Sequence, residues 1–160
     1  MKFKLALIAG VAALAIPALA PAASAQTTVY GNIGYTQFDG DAVDVGGVTG
    51  RIGATFGRYI GVEGEGTVGT NDDNGVELDS ALGIYAVGHL PITDRFDLFA
   101  RAGASRVETS PGGDDDAFSY GVGANYFFTD KDGIRGDWTK HDFDNGGDVD
   151  TYSVSYVRRF

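Results

Sequence analysis

Two histidines and no cysteine set the limits of acid–base and nucleophilic chemistry in this 160-residue chain. The missing cysteines exclude disulfides, thiolate zinc sites, Cys nucleophiles and a lipid-modified N-terminal Cys. His89 sits beside the turn at Pro91, where a polar interfacial role suffices. His141 shares the polar side of its segment with Thr139, has Asp142 and Asp144 close by, and faces Ser153 on the next segment. A base beside a hydroxyl is the minimum for nucleophilic catalysis. Hydroxyl residues are common on such polar faces, however, and no separate element offers an oxyanion hole, so no catalytic residue is expected. The run Gly64-Glu65-Gly66-Thr67-Val68-Gly69 fits G-x-G-x-x-G, but an acidic stretch, Thr70-Asn71-Asp72-Asp73, follows it instead of a helix N-terminus. Without that helix there is no phosphate cradle, and no cofactor is expected.

Carboxylates are the commonest chemical group. The chain carries 22 acidic and 12 basic side chains, net −10, which argues against nucleic acid as a partner. Most of the acids fall into four stretches: Asp39, Asp41 and Asp44; Asp72, Asp73 and Glu77; Glu108, Asp114, Asp115 and Asp116; Asp142, Asp144, Asp148 and Asp150. Arg106 is the counter-charge within them, whereas Arg58, Arg95, Lys131, Arg158 and Arg159 belong to the opposite ends of the segments. Crowded carboxylates invite Ca²⁺ or Mg²⁺, which prefer oxygen ligands, but the favoured reading is a solvated, self-repelling rim with no dedicated metal site.

The elements that position these residues are strands. Residues 1–25 read as a secretory signal peptide: Lys2 and Lys4, an apolar run Leu5–Ile16, Pro17, then Ala23-Ser24-Ala25 before Gln26. At ~1.5 Å per residue the apolar run reaches only ~18 Å, short of a ~30 Å hydrocarbon core. After Gln26 the apolar period is two, not 3.6. Ile52, Ala54 and Phe56 oppose Arg51, Gly53 and Thr55; Leu78, Leu82, Ile84 and Ala86 oppose Asp79, Ala81, Gly83 and Tyr85; Phe118, Tyr120, Val122 and Ala124 oppose Ser119, Gly121, Gly123 and Asn125. Eight such segments of about ten residues result. Long connections (39–47, 69–77, 106–116, 142–149) alternate with short ones near Arg58, Leu90–Asp94 and Thr129–Asp132. That alternation suits an up-and-down barrel with both termini at the short-turn end.

Which face points outward follows from charge. The polar face carries Arg51, Glu63, Glu65, Asp79, Arg101, Arg135 and Asp137, mixed in sign, as a closed interior requires if each charge is to find a partner. On the apolar face, Tyr35, Phe118, Tyr120, Trp138 and Tyr152 gather toward the long connections, and Phe56, Phe96, Tyr126, Phe128, Tyr156 and Phe160 toward the short ones. Two aromatic girdles are the mark of a lipid-facing barrel. The 25 glycines then fit a narrow, curved wall better than a flexible chain.

The tail Thr151–Phe160, with Tyr152, Val154, Tyr156 and the terminal Phe160 on one face, resembles the C-terminal assembly signal of Gram-negative outer-membrane proteins. Arg158 stands where that signal usually has an apolar residue and is expected to snorkel to the headgroups. Phe118–Tyr126 and Leu98–Gly103 likewise resemble the outer-membrane β-barrel ("porin") family related to small OmpA- and OmpX-type barrels. The resemblance implies an all-β fold, an eight-stranded antiparallel up-and-down transmembrane barrel over residues 26–160, in the cell outer membrane. It implies outer-membrane lipids and the barrel-assembly machinery as partners, with divalent cations at the acidic loops as an option and a monomer as the expected state. The expected role is structural or surface-interacting, with an ion-pair-filled interior. A narrow passive pore, or a lipid-modifying enzyme using His141 and Ser153, are the alternatives.

Overall fold

A computed structural model describes residues 26–41, 44–70, 72–73, 75–110 and 113–160; the signal-peptide segment 1–25 lies outside them. Nine strands follow in chain order: β1 (Thr27–Asp39), β2 (Asp44–Phe56), β3 (Ile60–Gly69), β4 (Asp72–Asp73), β5 (Val76–Pro91), β6 (Phe96–Ser110), β7 (Gly113–Phe127), β8 (Asp132–Phe143) and β9 (Asp148–Arg159). Apart from β4, a two-residue ribbon on the end of β5, each strand pairs antiparallel with its sequence neighbours. Pairing of β1 with β9 and of β3 with β5 closes the sheet into an eight-stranded barrel with no free edge.

Side-chain parity sorts the residues as the sequence suggests. Ile33, Ile84, Val122, Ile134 and Val154 point outward and are exposed, while Thr49, Arg51, Glu63, Arg101, Arg135 and Thr139 point inward and are buried. An outside this apolar around an inside this polar is inverted relative to a water-soluble barrel. Tyr35, Phe118, Tyr120 and Tyr152 are exposed at one end of the apolar belt; Tyr126, Phe128, Tyr156 and Phe160 are exposed at the other.

The short connections are built by local chemistry. Gly57 adopts φ 69° between β2 and β3, a conformation that L side chains rarely adopt. In the other two, a Thr hydroxyl accepts from the backbone it turns: Thr93 Oγ1 from the amides of Arg95 and Phe96, Thr129 Oγ1 from those of Lys131 and Asp132.

Two expectations need correction. Most strands are longer than about ten residues, 15 in both β6 and β7 against 10 in β3, because the acidic segments read as loops continue the ladder. Arg106 pairs with Asp116, Val107 with Asp115 and Glu108 with Asp114. Backbone pairing needs no apolar side chain, so the ladder outlasts the hydrophobic alternation that reports it. Second, a register shift between Leu78 and Ser80 breaks the parity of β5. One extra residue turns Leu78 inward, where it is 2% exposed, together with Ala81 and Tyr85.

Candidate functional site

The lumen is packed in layers. Its middle holds three arginines and three carboxylates, equal in number and drawn from β2, β3, β6 and β8. Glu63 accepts from Arg135 Nη1 at 2.6 Å, Arg135 Nη2 at 3.1 Å and Arg101 Nη1 at 3.0 Å. Glu65 accepts from Arg51 Nε at 2.5 Å and Arg101 Nη1 at 2.7 Å. Asp137 accepts from Arg51 Nη1 and Arg135 Nε, both at 3.1 Å. Every guanidinium in this set is almost wholly buried. Burial of that many charges requires such mutual satisfaction. Aromatic rings complete the cage: Tyr30 donates its hydroxyl to Glu63 at 2.8 Å, and Arg101 and Arg135 lie 4.2 and 4.0 Å from the ring centroids of Tyr85 and Phe99.

Six of the seven charges expected inside therefore meet. Asp79 does not join them; it occupies the β5 bulge, half-buried, nearer the long hairpins, since the bulge removes it from the inward alternation. The cage aromatics Tyr30, Tyr85 and Phe99 belong to the same inward parity but were not expected as network partners. Their positions opposite charged residues become visible only once register is known.

Above the ion pairs lies a hydroxyl layer. Thr67, Thr49, Thr36 and Ser153 form a chain of contacts of 2.6–2.7 Å, and Arg51 donates to Ser153 at 3.0 Å. His141, 3% exposed, contacts Ser119 at 2.7 Å and Ser105 at 3.0 Å through Nδ1, and Thr151 at 3.3 Å through Nε2. The expected His141–Ser153 juxtaposition is not made. In the β8–β9 register Ser153 faces Asp137, whereas His141 faces Val149 on that side and Ser119 on the other.

Apolar residues close both ends of this polar column. Toward the long hairpins, Phe38, Val45, Leu78, Ala81 and Val107 cluster, with Phe143 and Val149 against them and Phe38 stacked on His141. Toward the short turns, Tyr30, Phe127 and Val157 form a second cluster.

Beyond the belt, the hairpin tips carry the acids. Arg106 and Asp116 make a two-point pair at 2.6 and 2.9 Å, and the hydrogen bond from Arg106 holds the Asp116 carboxyl below its usual pKa. Lys140 reaches Asp148 at 2.5 Å, and Trp138 Nε1 donates to Asp150 at 3.1 Å. Among the described residues no three His, Cys, Asp or Glu side chains gather as metal ligands. At the other rim, Arg158 donates to Asp132 at 2.7 Å, with the Tyr156 hydroxyl on the same oxygen, so the arginine within the terminal segment has an ionic partner.

Known proteins share this architecture. The N-terminal β-barrel domain of Pseudomonas aeruginosa OprF superimposes with a TM-score of 0.65 at 15% identity, covering 84% of this chain and 100% of that one. The attachment invasion locus protein Ail of Yersinia pestis gives 0.63 at 19% identity, covering 84% and 99%, and is also known in complex with the heparin analogue sucrose octasulfate. P. aeruginosa OprG gives 0.63 at 9% identity, covering 85% and 96%. No curated protein sequence matches the chain. The model of the outer membrane protein beta-barrel domain matches residues 6–160, and with that match the closed, inside-out barrel described above belongs to the outer-membrane β-barrel family.

Proposed function

We propose that this protein is a closed, non-conducting shaft in the outer membrane that holds acidic hairpins outside the cell for surface interaction, and that it is not an enzyme. The observation carrying this reading is the layered lumen: a charge-balanced ion-pair set, a hydroxyl layer and an apolar cluster at each end. Water and ions crossing it would have to break several buried charge-assisted contacts at once. His141 lies under the Phe38 cluster with its ring nitrogens on hydroxyls of the wall, where a lipid substrate has no approach.

The hairpin tips select a cationic partner. Asp39, Asp41, Asp44, Asp114, Asp115, Asp116, Asp144 and Asp148 would repel a sulfated polyanion of the kind held by Ail. Basic segments of another protein suit them, as do divalent cations bridging to anionic glycolipid phosphates. The outward Tyr152, Val154, Tyr156 and Phe160 suit recognition by the barrel-assembly machinery after removal of the 1–25 signal peptide, and the closed sheet suits a monomer within outer-membrane lipids.

Planar-bilayer recording on the refolded barrel tests the reading: no stable conducting state is expected. A long-lived open state would replace it with the narrow-pore function.

A further inference from the structure

The outward-facing row of side chains is not equally long on every wall of the barrel. Among the described residues it runs uncharged for at least nine residues on six strands: 29–37 on β1, 48–56 on β2, 60–68 on β3, 82–90 on β5, 96–104 on β6 and 118–126 on β7. On β8 and β9 it shrinks to five, 134–138 and 152–156, because a charged pair faces outward at each end. Asp132 stands opposite Arg158 and accepts from it at 2.7 Å. Eight residues along, Lys140 stands opposite Asp150 and lies 2.5 Å from Asp148. The aromatic girdles close in at the same place: Tyr152 and Tyr156 are four residues apart, against six for Tyr120 and Tyr126 on β7.

At ~3.3 Å per residue, the outward charges on β8 and on β9 stand ~26 Å apart along the strand, or ~19–22 Å along the membrane normal for strands tilted ~35–45°. A nine-residue row with its flanking outward positions spans about twelve residues, and the same conversion gives ~28–32 Å, close to the ~30 Å of a typical hydrocarbon core. Lysine and arginine can snorkel toward headgroups, but each border also carries an aspartate, which is too short to do so. The border groups already pair with one another, down to the Tyr156 hydroxyl on Asp132 and the Trp138 indole on Asp150. This wall therefore offers a protein partner no unmet polar group. It fits headgroups at two levels only about 20 Å apart.

We propose that the β8–β9 wall is a lipid seam, at which the bilayer thins to about 20 Å and takes shorter or more disordered acyl chains than around the rest of the barrel. Thinning costs little per ångström, whereas a bilayer of full thickness would draw four outward charges into hydrocarbon. The seam adjoins the β1–β9 closure, so the strand that completes the cylinder enters the membrane where it is thinnest. It depends on the barrel's place in a bilayer, not on whether the lumen conducts or the hairpin tips bind a partner.

Spin-label depth measurements test the seam. The chain has no cysteine, so Gly136→Cys on β8 and Gly64→Cys on the opposite wall, β3, each take a single label. A Cβ at Gly136 meets nothing within 4 Å, and at Gly64 the nearest atom, the Ile52 carbonyl oxygen, is 4.0 Å away. The labelled barrels are reconstituted in phosphatidylcholine vesicles with dilauroyl, dioleoyl or dierucoyl chains, and depth is read from collisions with oxygen and a nickel chelate. The label at 64 is expected to move deeper as the chains lengthen, while the label at 136 stays about 10 Å from the headgroups. Asp132→Leu with Arg158→Leu lengthens the outward row and should let the label at 136 deepen as well; if that variant fails to fold, Lys140→Leu with Asp150→Leu does the same from the other border. Parallel deepening of both labels in the parent barrel overturns the proposal, as does an unchanged depth at 136 in a folded charge-removed variant. Dipolar broadening between labels at 136 that unlabelled protein dilutes away also overturns it, because a second copy then covers the wall.

Discussion

Replacing Glu63 by Gln removes one negative charge from a set of three guanidiniums and three carboxylates while nearly preserving its shape. Glu63 receives three hydrogen bonds from Arg101 and Arg135 at 2.6–3.1 Å and one from Tyr30 at 2.8 Å. At an effective dielectric constant of ~20, the attraction between unit charges ~4 Å apart is about 4 kcal/mol. Two adjacent guanidiniums would make the gross loss roughly twice that, but a neutral amide avoids the desolvation of an ion, and net losses on breaking buried pairs run about 3–5 kcal/mol. The amide nitrogen of Gln also turns a donor toward arginines that can only donate. We therefore expect Glu63→Gln to destabilise the barrel by about 3–5 kcal/mol in urea unfolding from lipid vesicles, followed by gel mobility and by the fluorescence of Trp138, the single tryptophan. Glu63→Gln with Arg135→Gln restores charge balance and should recover part of that loss, a positive coupling in a double-mutant cycle. A loss below about 1 kcal/mol, or a double variant no better than the single, would mean that water already solvates these charges and that the lumen is not sealed.

Two further outcomes follow from local geometry. Arg106 holds the Asp116 carboxyl below its ordinary pKa, so this pair strengthens the β6–β7 tip above about pH 4 and the contribution fades as pH falls through the lowered value; amide protection factors, corrected for the intrinsic pH dependence of exchange, should fall in 107–109 and 113–115 in acid, and Arg106→Gln should abolish that pH response. A methyl group on Gly53 would lie 2.4 Å from Tyr30 Cζ, so Gly53→Ala should displace the ring from Glu63 and cost about 1–3 kcal/mol in the same unfolding assay, whereas Gly50→Ala, whose methyl meets nothing within 4 Å, should be close to neutral.

The inside-out alternation was legible because a lipid-facing wall writes its period directly into residue type. Arg51, Glu63, Glu65, Arg101, Arg135 and Asp137 all share the inward parity the sequence predicts and all converge. Asp79 escaped because a bulge is a local change of count with no compositional marker in this stretch. The partner of His141 escaped for a different reason: parity names the face, but register names the neighbour, and the register of β8 on β9 is set by the connection 144–147, where Gly146 adopts φ 93°. The acidic hairpins looked like loops because charge and glycine interrupt apolar alternation without interrupting backbone pairing.

The distribution of the six network charges around the wall also bears on how the barrel is made. The β2–β3 hairpin brings Arg51 against Glu63 and Glu65, an excess of negative charge within the network, to which β6 contributes only Arg101. Neutrality is a property of the completed cylinder, since Glu63 and Arg135 sit on opposite walls and meet only after the sheet has curled. An open sheet pressed into hydrocarbon would expose unbalanced ions on one face, at several kcal/mol each. Insertion and curling must therefore proceed together, with the concave side kept wet until the last strand pairs, and partly inserted hairpins should not accumulate.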